Sequence, residues 1–267
     1  MDHVRRCGRL AGATRAMTLD AALHNAAQEG MAPLSWENLS AAATLVVTPT
    51  GAPIRTIITG RRHVTTGVYV SRKAGRALPY ESMNERTFFM HSEVDTEVVD
   101  YRAQPFRLEF ILDGRKRTYT VDCVRLLADG LIELVEIKND RRSLRDLDYA
   151  SKLEAVQTIC DRVGWGFRIV FKSSLFEPTH VYRNICDVQS WRLTEYTKTD
   201  VFEVAEQIHG AGPMPLARIS EHLGDLVVVA AKLKAMMVGR VVRLDLSRPL
   251  NSDTSVSLLS PQSESQQ

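Results

Sequence analysis

The sequence predicts an α/β protein in which a mixed sheet flanked by helices precedes a smaller, mainly helical C-terminal domain. Between about residue 80 and residue 171 a helical period gives way to three strand-like runs, then to a second amphipathic helix and one more strand, as mixed α/β layers require. Two Asp-Gly pairs, Asp113-Gly114 and Asp129-Gly130, separate the strand-like runs and mark tight turns, because both residue types accept positive φ. From about Thr199 the period changes again, to three short helices and two short β segments.

Composition sets the limits. The chain has 267 residues, 44% hydrophobic and 25% charged, an ordinary globular balance with length enough for two domains. A net charge of +2 neither demands nor excludes a nucleic-acid partner, so the placement of the basic residues decides. Cys7, Cys123, Cys160 and Cys186 stand far apart without CxxC or Cys/His spacing, which argues for reduced thiols in a cytoplasm and against a zinc site or disulfide framework. No stretch approaches ~18 consecutive apolar residues, so a soluble protein without a membrane partner is expected.

Residues 1–50 read as an N-terminal extension with one short amphipathic helix near Thr18 to Gln28. A central domain, 51–190, opens with a stretch from Gly51 to Tyr80 that carries Arg55, Arg61, Arg62, Arg72, Lys73 and Arg76 but no Asp or Glu; acids return at Glu81 and Glu85. A cationic approach to an acidic cluster suits a polyanion, whose phosphates must be attracted while metal cations sit with carboxylates; a solvated loop is the plainer alternative. The helix expected over about Tyr80 to Ser92 turns Met83, Phe88, Phe89 and Met90 to a core. Strands are expected over Phe106 to Leu112, Thr118 to Leu127 and Leu131 to Lys138. A helix with Leu144, Leu147, Leu153, Val156, Cys160 and Val163 on one face then ends near Gly164, before a strand over Phe167 to Phe171. The C-terminal domain, 191–259, holds helices over Val201 to Ile208, Leu216 to Leu223 and Leu226 to Val238, then β segments over Val241 to Leu246 and Thr254 to Leu259. Helix, helix, helix, hairpin is the order of a winged helix. The polar tail, 260–267, reads as disordered.

The chemistry concentrates in the second hairpin. A turn centred on Asp129 sets Asp122 opposite Glu136, and cross-strand Cβ atoms roughly 4.5 to 5.5 Å apart hold two like charges that call for a cation between them. Glu136 and Lys138 are two apart and share a face, while Val135 and Ile137 point the other way. Half-buried charges are costly without partners, so a metal ion or a substrate phosphate explains them; a Glu136–Lys138 surface pair on an edge strand is the alternative. Glu85, one turn after Glu81, either joins this site or faces solvent. Ser82 reads as a helix-start residue, because no His lies at a spacing that would make it a nucleophile.

The runs SRKAGRALPYES (Ser71 to Ser82), EVVDYRAQPFRLEF (Glu97 to Phe110), DGRKRTYTVD (Asp113 to Asp122) and VEIK (Val135 to Lys138) occur together, in order. Over about residues 51–175 the chain resembles the N-terminal domain of TnsA-type endonucleases, the subunit of a heteromeric, Tn-seven-like transposase within the PD-(D/E)xK superfamily. The resemblance implies a restriction-endonuclease-like fold and a catalytic role for Glu81, Asp122 and Lys138. Glu136 falls where some relatives carry glutamine, and Val121 stands where relatives commonly have proline. Mg²⁺, with Mn²⁺ as a substitute, is then expected on oxygens of Glu81, Asp122, Glu136 and the Ile137 carbonyl. Lys138 is expected to orient the attacking water or stabilise charge on the phosphorus, leaving a 3′-hydroxyl and a 5′-phosphate. Gln104, in the QP pair of the resemblance, either places its amide near the site or starts a strand.

Partners follow from the same resemblance: double-stranded DNA at transposon ends, a TnsB-like DDE transposase, and a TnsC-like AAA+ ATPase acting through the C-terminal region, in a bacterial cytoplasm at the nucleoid. Arg61, Arg62, Arg72, Lys73 and Arg76, with Lys232 and Lys234 of the third C-terminal helix, are the expected DNA contacts. Val227, Val228, Val229, Ala230 and Ala231 make the first turns of that helix apolar enough to pack on a domain or partner instead. A stand-alone restriction or repair nuclease of the same fold and a non-catalytic DNA-binding scaffold are the competing readings.

Overall fold

The computed structural model describes residues 18–29, 43–48, 52–54 and 65–259, so Arg55, Arg61, Arg62 and the tail from Ser260 lie outside the described residues. The chain forms two compact units that interleave along the sequence. One takes Met1–Val70, Ala77–Arg86 and Glu97–Ser173; the other takes Ser71–Arg76, Thr87–Thr96 and Ser174–Gln267.

In the first unit, helix α1 (Leu19–Glu29) and strand β1 (Thr44–Val47) come from the N-terminal extension and enter the core. Leu19, Leu23 and Leu45 are buried, and β1 pairs antiparallel with β5 (Phe106–Leu112). Arg102 fixes α1 in place: its guanidinium pairs with Asp20 at 3.1 Å and with Asp100, whose other oxygen accepts from Leu19 N. Strands β2 (Gly67–Ser71) and β3 (Arg76–Tyr80) make a two-stranded ribbon, and helix α2 (Met83–Val94) follows, its first turn in this unit and its residues from Thr87 in the other.

Two larger sheets build the rest of this unit. Strands β1, β5 and β6 (Arg115–Thr120) form one. The other has the order β4 (Val98–Ala103), β7 (Cys123–Leu127), β8 (Ile132–Lys138), β9 (Gly166–Phe171), antiparallel except for the parallel β8–β9 pair. Phe106 and Leu108 from one sheet, Val124 and Leu134 from the other, and Val156 of helix α3 (Leu147–Val163) are fully buried in a single core cluster. The Asp-Gly turns behave as their chemistry requires: Asp113 and Gly114 sit at φ 50° and 70° between β5 and β6, and Gly130 at φ 86° closes β7 onto β8.

Three expectations need correction here. The single strand expected over Thr118 to Leu127 is two strands in different sheets, β6 ending at Thr120 and β7 beginning at Cys123. Tyr119, Val121 and Cys123 are all buried, so alternation runs through the crossing and periodicity shows no break. The break is in backbone pairing, where Gln104 N donates to Asp122 O at 3.1 Å. Helix α2 starts three residues later than expected, because Tyr80 still belongs to β3 and Ser82 caps the helix. Leu144 ends a short 3₁₀ turn, Arg141–Leu144, and α3 begins only after its cap Asp146, to stop at Gly164 with φ 72°.

The second unit contains the rest of α4 (Lys172–Phe176), then α5 (Thr179–Trp191), α6 (Lys198–Ala211), β10 (Met214–Pro215), α7 (Leu216–Leu223), α8 (Leu226–Val238), β11 (Val242–Leu244) and β12 (Ser255–Leu258). The three short strands form one antiparallel sheet in the order β10-β12-β11. Helix α5 is not among the elements expected from the sequence, and half its buried residues are polar. Asn184 donates to Leu246 O and Arg248 O, and Gln189 donates to Met90 O at 3.1 Å. No helix among the described residues is long and apolar enough to cross a membrane.

Candidate active site

The site lies in the first unit, where β8 ends. Strand pairing sets Cys123 against Val135 and Leu126 against Ile132, the register that a turn at Asp129 dictates, and this carries Asp122 to the level of Glu136. Asp122 sits in the connection between β6 and β7, and its Oδ2 accepts from Ile137 N at 2.8 Å. Its Oδ1 accepts no hydrogen bond from any described residue. Burial first and the charge of Glu136 second push the Asp122 carboxyl up to about 8, against the pull of the Ile137 amide; Glu85 adds to the rise and Lys138 opposes it.

Glu136 is 3% exposed on a strand flanked on both sides, so the expected alternative of a surface pair on an edge strand is excluded. The pairing itself is real: Lys138 Nζ stands 2.5 Å from Glu136 Oε1. Two tyrosines complete the shell. Tyr119 of β6 donates its hydroxyl to Glu136 Oε2 at 2.6 Å, and Tyr149 of α3 donates to Oε1 at 2.5 Å. One carboxylate is thus held by both sheets and a helix. Burial pulls the Lys138 ammonium down, but the charge and hydrogen bond of Glu136 outweigh it, so the group is raised and stays cationic. The Tyr149 ring also lies 4.9 Å from Lys138 Nζ. Sequence reasoning missed both tyrosines. Alternation places Tyr119 on the core face of β6, but nothing local says that its hydroxyl meets a carboxylate of the other sheet.

Glu85 belongs to this cluster and does not face solvent. It is the third residue of α2, its amide accepted by Ser82 Oγ at 3.1 Å, while its carboxylate accepts from Glu81 N at 2.9 Å and Ser82 Oγ at 3.0 Å. Burial raises it first; these hydrogen bonds oppose the rise, and the charges of Glu81 and Glu136 add to it. Ser82 is the helix-start residue expected of it. Glu81 is half-buried immediately before this cap. Gln104 pairs its backbone with Asp122 at φ 44°, and its buried amide oxygen lacks a donor among the described residues.

The basic residues expected at DNA are otherwise engaged where they are described. In the second unit Arg72 donates to Arg192 O and Thr194 O and stacks over Tyr196, and Lys73 donates to Ser92 O and Asp95 O. Lys232 pairs with Asp200 at 2.6 Å and Lys234 with Asp187 at 2.8 Å. Arg76 is half-buried.

Among the described residues no three His, Cys, Asp or Glu side chains stand close enough to share a metal ion, since Glu136 is turned into its tyrosines and lysine. Magnesium does not require such a cage; it takes one or two carboxylates and completes its shell with phosphate oxygens and water. Hard oxygens on mutually repelling carboxylates, one of them open at Asp122, fit that ion.

A mixed sheet with two carboxylates and a lysine meeting at a strand end is consistent with a nuclease-like fold. Residues 95–172 match the family model of the TnsA-like endonuclease N-terminal domain, so this part of the chain is similar to that family. Asp122, Glu136 and Lys138 fall inside the matched segment; Glu81 and Glu85 precede it. No curated protein matches the chain.

Proposed function

We propose that the chain is a metal-dependent endodeoxyribonuclease subunit of a transposase, hydrolysing phosphodiester bonds at the 5′ ends of a transposon during excision. The observation that carries this reading is the open oxygen of Asp122 beside the Glu136–Lys138 pair, within the matched segment. Mg²⁺ or Mn²⁺ would be held by Asp122 with phosphate oxygens and water, and Glu81, the Ile137 carbonyl and a Glu136 turned from its tyrosines and lysine would be the further oxygen ligands. When bound, the ion lowers the pKa of a water and polarises the scissile phosphate. The Ile137 amide orients Asp122, and the two tyrosines orient Glu136. Lys138, cationic at any working pH, places its ammonium where charge grows on the phosphate.

The order of α6, α7, α8 and the β10-β12-β11 sheet supports a winged-helix reading of the C-terminal part. With Lys232 and Lys234 already neutralised and Leu226, Val227 and Val228 exposed on α8, that part serves a protein partner better than DNA. TnsB-like and TnsC-like proteins are the partners proposed.

A plasmid carrying transposon ends, incubated with the chain in Mg²⁺ or in chelator, with and without the partner transposase, tests the whole reading. Cleavage at the ends is expected only with both metal and partner, and Asp122→Ala or Lys138→Ala should slow it at least about 10²-fold. Cutting that persists in chelator overturns the metal mechanism. Full cutting without the partner makes the chain a stand-alone nuclease.

A further inference from the structure

The turn after β8 concentrates positive charge. Lys138, Arg141, Arg142 and Arg145 place four cations within eight residues. The nearby acids are committed to backbone: Asp140 accepts from Arg142 N at 2.8 Å, and Asp146 caps α3 by accepting from Asp148 N and Tyr149 N. Arg141, Arg142 and Arg145 are exposed. Arg141 leans over the Phe171 ring at 5.6 Å, whereas the guanidinium groups of Arg142 and Arg145 make no hydrogen bond or ion pair with any described residue. The turn is also fixed to the site, because Asn139 Oδ1 accepts from Asn84 Nδ2 at 2.7 Å, in the first turn of α2 beside Glu81 and Glu85.

Guanidinium groups match phosphate oxygens in a fork, and these three stand on or directly after a short, capped turn that begins three residues after Lys138. We infer that Arg141, Arg142 and Arg145 form the phosphate-gripping edge of the candidate active site, binding the backbone of duplex DNA beside the bond to be cut. The inference rests on the nuclease reading and adds a binding surface to it. It also adds a cationic surface whose Arg142 and Arg145 guanidinium groups, unlike Arg72, Lys73, Lys232 and Lys234, are not engaged within the described fold.

The test is fluorescence anisotropy of a short duplex with the full chain in chelator, over a salt series, comparing wild type, Arg142→Ala/Arg145→Ala and Arg162→Ala. Arg162 is an exposed cation about 22 Å further along α3, at the rise of an α-helix. The double variant should unfold at the wild-type midpoint but bind roughly tenfold more weakly. Its plot of log affinity against log salt should be shallower by about 1.8, since each lost phosphate contact removes about 0.9. Arg162→Ala should leave affinity and slope unchanged. Equal binding and slope in the double variant, the same loss per charge in Arg162→Ala, or a wild type that binds no duplex overturns the inference. The plasmid assay judges the nuclease reading separately: Mg²⁺-dependent cleavage with normal binding by the double variant sinks only the arginine edge.

Discussion

Tyr119 donates its hydroxyl to Glu136 from a buried position, so losing it leaves a carboxylate oxygen in the core without a donor. Tyr119→Phe should therefore cost about 1–3 kcal/mol in urea unfolding. Tyr149, half-exposed, has water to replace it. Tyr149→Phe should leave stability within about 1 kcal/mol, yet slow cleavage roughly ten- to a hundredfold, because Glu136 Oε1 then keeps only Lys138 to orient it. Wild-type turnover in Tyr149→Phe would remove the positioning role. Asp122 gives a pH signature. Its carboxyl is raised from 3.8 to about 8, so between those values it is ionised in the unfolded chain and protonated in the fold; stability without metal falls as pH rises through that window. The thermal midpoint in chelator should drop between about pH 5 and pH 8, and Asp122→Asn should flatten that drop; parallel curves refute it. Asp122, Glu136 and Lys138 were legible because strand periodicity fixes who shares a face and a hairpin fixes who stands opposite. The tyrosines were not, since their partner lies on another sheet or across a helix start.

Helix α6 shows what elements owe to their ends. Thr197 caps it by accepting from Asp200 N, and Asp200 returns a carboxylate to Thr197 N at 2.7 Å while pairing with Lys232 of α8. Thr197→Ala should cost about 1 kcal/mol, read as a lower unfolding midpoint; an unchanged midpoint would show the cap to be idle. The hydrogen bond of Lys232, with those of Thr197, holds the Asp200 carboxyl below its ordinary range. Its contribution is thus complete at neutral pH and lost as pH falls through its folded value. Signals of this local kind made α7, α8, β5 and β8 readable in the sequence with little error in their bounds. What local signals could not show is sheet membership. The crossing from β6 to β7 at Val121 and Asp122 leaves alternation intact, and it delivers Asp122 to the site. Short strands such as β1 and β10 stayed hidden for the opposite reason, carrying too few residues for any period to register.

At the scale of the whole chain, the interleaving of the two units decides what can be cut away. The family match ends at residue 172, which suggests a separable N-terminal module. Yet Thr87–Thr96, most of α2 and the turn after it, belongs to the unit completed by Ser174–Gln267. Its bonds run there: Gln189 donates to Met90 O at 3.1 Å, His91 meets Leu175 O at 2.8 Å, and Arg240 donates to Thr96 O at 2.8 Å. Phe88, Phe89 and Met90 are buried in the full chain. A chain ending at Ser173 strips those partners from α2 and exposes apolar side chains worth about 1.5–3 kcal/mol each when buried. The cap of the same helix is built from Ser82 and Glu85, so the acidic cluster loosens with it. The shortened chain should aggregate or unfold without cooperativity, and should cut nothing even with metal and partner present, while the full chain melts in a sharp transition. Sharp melting of the shortened chain at the full-length midpoint, with cleavage retained, would show that the matched segment is self-sufficient and that the interleaving has no energetic weight.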